Sequence, residues 1–216
     1  MTRLVTRLAV LALLMATVMP AGAQLVYYND FSSSAGTEWT KQTISFTPAG
    51  ARGFLGAFGE ESVRLTLTNL PPHPAISVEL TLFVIGGWDG VGDGSPNAPD
   101  LWSLTVIGGP TLIHTTFSNT SALQSFPGNY PQVNPARTGA VENNTLGYRL
   151  DSVYQLKYTF VHTAPTLRLL FSGATTEPDE LWGIDEIRVV AVPEPTTAAT
   201  ILIGGALLVL RHRRRR

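Results

Sequence analysis

The clearest chemical feature of this 216-residue chain is a run of carboxylates on a glycine-turned loop. In Trp88-Asp89-Gly90-Val91-Gly92-Asp93-Gly94-Ser95-Pro96-Asn97-Ala98-Pro99-Asp100, the residues Asp89, Asp93, Gly94 and Asp100 are spaced like positions 1, 5, 6 and 12 of a calcium loop. Hard carboxylate oxygens converging on a glycine turn suit Ca²⁺, so Asp89, Asp93 and Asp100 are candidate ligands to a structural cation. Two departures weaken the pattern: Val91 stands where a third Asp or Asn is expected, and the last position is Asp instead of a bidentate Glu. The flanks alternate like strands, which excludes an EF-hand. A solvated acidic turn is the plain alternative.

A second candidate is Asp185, in Trp182-Gly183-Ile184-Asp185-Glu186-Ile187-Arg188-Val189. A bulge at Asp185-Glu186 would turn it toward solvent, whereas in an unbroken strand it shares its phase with Ile187 and Val189 and faces the core. A carboxylate there needs a charge partner, hydrogen bonds or a metal. Asp30 becomes its neighbour if the first and last strands pair, which would make Asp30 and Asp185 a second cation site. Trp88, at a loop mouth, is the candidate platform for stacking on a ligand ring. Trp102 and Trp182 lie in strand-like runs and read as core. His73, in Pro71-Pro72-His73-Pro74, reads as a turn residue with a local hydrogen bond.

Catalytic arrangements are scarce. The sequence has no Gly-x-Ser-x-Gly elbow, no His-Glu-x-x-His pair and no phosphate-binding glycine loop. Glu177-Pro178-Asp179-Glu180 crowds carboxylates together, but Pro178 breaks any strand that would aim them into one cleft. It reads as an acidic turn.

Strands must position these residues. Val63, Leu65 and Leu67 alternate with polar neighbours, as do Ile76 to Leu82, Leu104 and Val106, Tyr154 to Phe160, and Leu167 to Phe171; Ile187 and Val189 close the series. Gly108-Gly109 marks a hairpin into Thr111 to Phe117. Period-2 runs separated by Gly, Pro, Asn and Asp, without a competing amphipathic helix, predict an all-β chain with a single jelly-roll-like β-sandwich over residues 24–191. Two long stretches interrupt it, Gly86 to Pro99 and Thr120 to Asn144. The second is rich in Ser, Asn, Pro and Gly and reads mainly as a solvated excursion. The absence of cysteine rules out disulfides and thiolate metal sites. Seven of the 15 Lys and Arg sit at the chain ends, so the stretch from Asp30 to Glu194 holds eight cations against all 16 carboxylates. An acidic body argues against nucleic-acid binding.

The ends read as addresses. Arg3 and Arg7, the apolar run Leu8 to Met19 and the small residues Ala21-Gly22-Ala23 have the plan of a secretory signal peptide, residues 1–23, cleaved before Gln24. At the other end, residues 192–216 carry Val192-Pro193-Glu194-Pro195, then the apolar stretch to Leu210, then Arg211, Arg213, Arg214, Arg215 and Arg216. From Thr196 to Leu210 the chain would span about 22 Å as a helix, short of the ~30 Å hydrocarbon core. The Arg cluster should stay cytoplasmic as a membrane stop.

This tail resembles the PEP-CTERM sorting signal of Gram-negative bacteria. The resemblance implies export across the inner membrane, transient anchoring there, handling by an exosortase-type processing enzyme, and delivery to the surface or medium. Such proteins often come from bacteria that build exopolysaccharide or biofilm matrix. The body looks like MAM-type and related Ca²⁺-stabilised jelly rolls, which begin with Asp-Phe followed by a Trp and end in an Ile-Asp-Asp-Ile-like strand. The matching residues are Asp30-Phe31, Trp39 and Ile184-Asp185-Glu186-Ile187. MAM cysteines are missing, and Ser32 replaces an acidic residue. Together these features lead to the expectation of an exported, non-catalytic surface or matrix protein that binds polysaccharide or another matrix component. The alternatives are a secreted carbohydrate-active enzyme using Asp89, Asp93, Asp100, Glu177 or Asp179, and a purely structural coat module.

Overall fold

The computed structural model describes residues 22–92 and 99–193. Eleven strands build it: β1 (Gln24–Asn29), β2 (Ile44–Phe46), β3 (Gly53–Phe58), β4 (Ser62–Leu67), β5 (Ala75–Ile85), β6 (Leu101–Val106), β7 (Thr111–Thr116), β8 (Glu142–Asn143), β9 (Asp151–Val161), β10 (Leu167–Ala174) and β11 (Leu181–Val192). They form two sheets. The larger runs β2-β3-β11-β5-β9-β8, with β1 also paired to β11; the smaller runs β4-β10-β6-β7. Each pairing is antiparallel. The described residues are thus all β, in a jelly-roll-like sandwich. The signal and membrane helices expected at the ends fall outside the described residues.

The alternating runs place their apolar residues between the sheets. Ile76, Val78, Leu80 and Leu82 of β5 meet Val63, Leu65, Leu104, Leu169 and Phe171 of the smaller sheet in one buried cluster. Aromatic rings bridge the layers: Trp102 and Trp182 meet edge to face at 6.2 Å, and Trp39 lies 5.5 Å from Phe171. A second, smaller core sits on the outer face of the larger sheet, where Phe54, Phe83, Ile85, Leu146 and Val153 pack beneath the chain leading into β9. Gly183 makes this possible, because a Cβ there would meet the Phe54 ring at 2.3 Å.

The stretch from Thr120 to Asn144 is mostly exposed, as its composition suggests, but it is anchored at Gln124, Ser125 and Phe126, which are buried. The Gln124 amide donates to Phe126 O and Thr138 O and accepts from Ser118 N and Arg137 N. Asn119 ties the same stretch to Val84 O and Gly86 O. Buried side-chain amides replace the apolar residues that would have signalled packing.

The register of β11 corrects a sequence expectation. Asp185 pairs with Thr81, but Arg188 pairs with Glu79, so three residues of β11 oppose two of β5. Glu186 takes up the extra residue with φ +46°. This bulge lets Ile184 and Ile187 both point into the core and puts Asp185 on the outer face, out of phase with Ile187 and Val189. Asp185 is buried nonetheless, by the outer-face packing and not by the main core.

Candidate functional site

The sandwich brings two sets of polar residues together. The first is a carboxylate cluster at the end of the sheets. Asp89, Asp100 and Glu180 offer oxygens that all lie within 4.8 Å of one another. Asp100 opens onto β6, Asp89 follows β5, and Glu180 precedes β11. Asp100 Oδ2 accepts from Asp89 N at 3.0 Å, and Oδ1 accepts from Thr176 N at 3.1 Å. Glu180 Oε2 accepts from Thr176 N at 2.9 Å and Glu177 N at 2.7 Å. Asp100 and Glu180 are almost completely buried. Burial, and then the neighbouring Glu180 carboxyl, push Asp100 up to about 6, against the pull of the Asp89 and Thr176 amides.

Among the described residues no Lys or Arg forms an ion pair with Asp100 or Glu180. Two buried carboxylates at this distance need a shared proton or a cation. The donor set is all hard oxygen, which fits Ca²⁺ better than a softer metal. Of the loop residues expected to act together, Asp89 and Asp100 converge, while Asp93 lies outside the described residues. Glu180 was read from sequence only as part of an acidic turn. Gly86 helps bring that turn in: at φ +86°, a Cβ there would lie 1.7 Å from Asp179 O.

The second set lines the outer face of the larger sheet. Register partners place Tyr28, Arg188, Glu79 and Lys157 in one row across β1, β11, β5 and β9. The next row is Asp185, Thr81 and Gln155. Four strands at ~4.8 Å spacing make a row of about 14 Å. A groove of about 400 Å³ runs here, lined by Glu79, Thr81, Gln155, Lys157 and Glu186. Lys157 Nζ sits 2.6 Å from Glu79 Oε1. Tyr28 is 50% exposed, with the Arg188 guanidinium 6.0 Å from its ring. This face was not anticipated from the sequence. Its signal was the polar phase of β5 and β9, but the bulge that brings Glu186 to the groove left no mark.

The remaining candidates fall as follows. Trp88 is corrected: it is fully buried and its indole N–H donates to Leu181 O at 3.0 Å, so no ring can stack on it. The backbone turns its neighbour Asp89 toward the carboxylate cluster instead. β1 and β11 do pair, bringing Asp30 near Asp185. Asp30 is exposed and accepts from Ser32 N, which lowers its pKa. Asp185 Oδ1 accepts from Glu186 N at 2.7 Å, while Oδ2 faces Arg52 Nη2 at 3.8 Å. Arg52 also holds Glu142 at 2.9 Å and covers the Phe83 ring at 4.7 Å. Burial pushes Asp185 up to about 6, with Glu186 and Asp30 adding to it and Arg52 opposing. A guanidinium therefore compensates Asp185, and among the described residues no third metal-ligating group joins it and Asp30. Val192 ends β11, opposite Ala75, and Pro193 follows it. Glu194, Pro195 and the Arg cluster lie outside the described residues. His73 Nδ1 meets Pro71 O at 2.5 Å, the local bond its turn suggests.

Asp185 and Asp179 provide a paired stability test. Asp185→Ala removes the acceptor for the Glu186 amide and one counter-charge of Arg52, at an expected cost of about 1–3 kcal/mol. Asp179 is exposed on its turn, so Asp179→Ala should stay within ~0.5 kcal/mol of wild type. Urea melts of the two variants check this, and equal stability would contradict the Arg52–Asp185 assignment.

No family model matches the chain, and no curated protein matches it. The chain is similar to several solved structures. A CBM22 xylan-binding domain from Paenibacillus barcinonensis is 14% identical, covered in full by 82% of this chain, with a TM-score of 0.39. A carbohydrate-binding module from a Cellvibrio mixtus lichenase, in complex with cellotriose, is 13% identical, with 77% of this chain and 97% of that one covered and a TM-score of 0.33. A family 35 carbohydrate-binding module from an environmental isolate is 13% identical, with 78% and 99% covered and a TM-score of 0.37. At these identities and scores the function has to be argued from the chain's own residues.

Proposed function

We propose that this is an exported, non-catalytic surface or matrix protein whose β-sandwich binds polysaccharide across the outer face of its larger sheet. The observation that carries the reading is the groove with its row Tyr28, Arg188, Glu79 and Lys157. A sugar chain needs an exposed ring to stack on and fixed polar groups that match its hydroxyls. Tyr28 supplies the ring, and Thr81, Gln155 and the Glu79–Lys157 pair supply donors and acceptors. A row of about 14 Å accommodates about three pyranose rings.

Export and sorting complete the reading. Residues 1–23 act as the signal peptide, residues 24–191 form the binding domain, and residues 192–216 form the sorting tail for an exosortase-type enzyme. Asp89, Asp100 and Glu180 hold a structural Ca²⁺. Their burial supports this role over acid–base chemistry, which needs carboxylates facing each other across an open cleft.

Binding of the full-length chain, purified in mild detergent, to insoluble polysaccharides tests the proposal. Tyr28→Ala is expected to weaken binding at least tenfold, an effect of about 1.4 kcal/mol, because it removes the stacking ring. Asp179→Ala should bind like wild type. Unchanged binding by Tyr28→Ala would reject the sheet-face site.

A further inference from the structure

We propose that the polysaccharide read by this face bears amines, as a partly de-N-acetylated hexosamine polymer does, and that Glu186 is the residue that selects it. The inference rests on the sheet-face reading above and names its ligand class.

Charge on the outer face is one-sided. Asp30, Glu79, Glu142, Asp185 and Glu186 face or border it, against Arg52, Lys157 and Arg188. Two of those cations are committed: Lys157 to Glu79, and Arg52 to Glu142 and Asp185. The third, Arg188, lies beside the Tyr28 ring. Glu186 and Asp30 are exposed and make no ion pair among the described residues. Both act on the Tyr28 hydroxyl, whose pKa rises first from its partial burial and then from the charges of Asp30, Glu186 and Asp185, with Arg188 opposing. The carboxylates around the exposed ring that a sugar would stack on therefore outnumber its one cation, Arg188.

The bulge brings Glu186 there. Its φ of +46° is a conformation that L-residues other than Asn and Asp rarely adopt, and Gly would suit it better. Bulges re-aim side chains next to binding sites. Here Glu186 lines the groove beside Glu79, Thr81, Gln155 and Lys157. A sugar ammonium stacked near Tyr28 gains a charge-assisted hydrogen bond to the Glu186 carboxylate and a favourable contact with the ring face. A uronate in the same place meets the carboxylates of Glu186 and Asp30, offset only by Arg188, so the groove selects against acidic polymers. The acidic body strengthens the preference at long range.

The test uses the full-length chain in mild detergent at mildly acidic pH, where sugar amines are charged, with chitosan, re-acetylated chitosan, cellulose and alginate as probes. Wild type is expected to bind chitosan about tenfold more tightly than the re-acetylated polymer or cellulose, and not to retain alginate. Glu186→Gln should lose at least fivefold on chitosan and nothing on cellulose. Glu186→Gly fits the left-handed backbone, so it should keep the wild-type melting temperature while losing chitosan to the same degree. Glu60→Gln removes an exposed charge elsewhere and should leave binding unchanged. Equal binding of chitosan and cellulose, an unaffected Glu186→Gln, or an equal loss in Glu60→Gln would overturn the amine selectivity while leaving the sheet-face reading standing. Failure to bind any of the four, or binding that ignores Tyr28→Ala, would overturn both.

Discussion

Chelating divalent cations should lower the melting temperature of the full-length chain by about 5–10 °C. Occupancy at a hundredfold excess over Kd is linked to about 2.7 kcal/mol, and in a chain this size each kcal/mol moves the midpoint by about 2–4 °C. The physical cause is the cluster of Asp89, Asp100 and Glu180, whose oxygens converge within 4.8 Å. Asp100→Asn should abolish the dependence on Ca²⁺. It keeps one oxygen for the Asp89 amide, and the Thr176 amide retains Glu180 Oε2 as acceptor, so the chain still folds and the comparison with and without EDTA remains readable. The same cluster sets a pH dependence. Burial raises Asp100 from 3.8 to about 6, so without cation its contribution to stability is fully present below pH 3.8 and is lost as pH rises through about 6. The shift is linked to on the order of 2 kcal/mol after allowance for the neighbouring Glu180. Ca²⁺ replaces the shared proton, so in its presence stability should not fall over that window. Superimposable melts in EDTA and Ca²⁺ would reject the cation site.

The second large effect concerns release from the membrane. Replacing Pro193-Glu194-Pro195 with three alanines leaves the proposed signal peptide, the apolar stretch and the Arg cluster intact. Translocation should proceed as in wild type, and the basic cluster should still hold the C-terminus at the inner membrane. On the proposed sorting role, a processing enzyme would have nothing to recognise without the motif. The variant should therefore accumulate in the inner-membrane fraction with the sandwich outside, while the wild-type chain reaches the surface or medium. Fractionation followed by immunoblotting reads this as near-complete retention. Wild-type release of the variant would overturn the sorting role of the tail.

Strands with one buried face were legible from sequence. β5 and β9 showed clean alternation because their outer phase is polar along most of their length. β3 did not, because Phe54 packs on the outer face while Leu55 enters the main core, which erases period 2. The anchor points of the mostly exposed stretch after β7 were hidden for a different reason: Asn119 and Gln124 are buried through hydrogen bonds, and composition counts them as solvated. Asp89 and Asp100 announced themselves as the two ends of one acidic loop. Glu180 did not, because it arrives from a turn far along the chain. The bulge at Glu186 was the costliest choice between alternatives, because nothing in the residue types favoured it over an unbroken strand. A single inserted residue reverses every side chain beyond it, so Asp185 was given the wrong face.

The most direct measurement is a crystal structure of the chain with a bound oligosaccharide of the polymer that it retains. The sugar is expected to lie across β1, β11, β5 and β9, with one ring stacked on Tyr28 and hydroxyls within hydrogen-bonding distance of Glu79, Gln155 and Lys157. A sugar seated instead over the Asp89–Asp100–Glu180 end of the sandwich, with the outer face of the larger sheet bare, would contradict the sheet-face site.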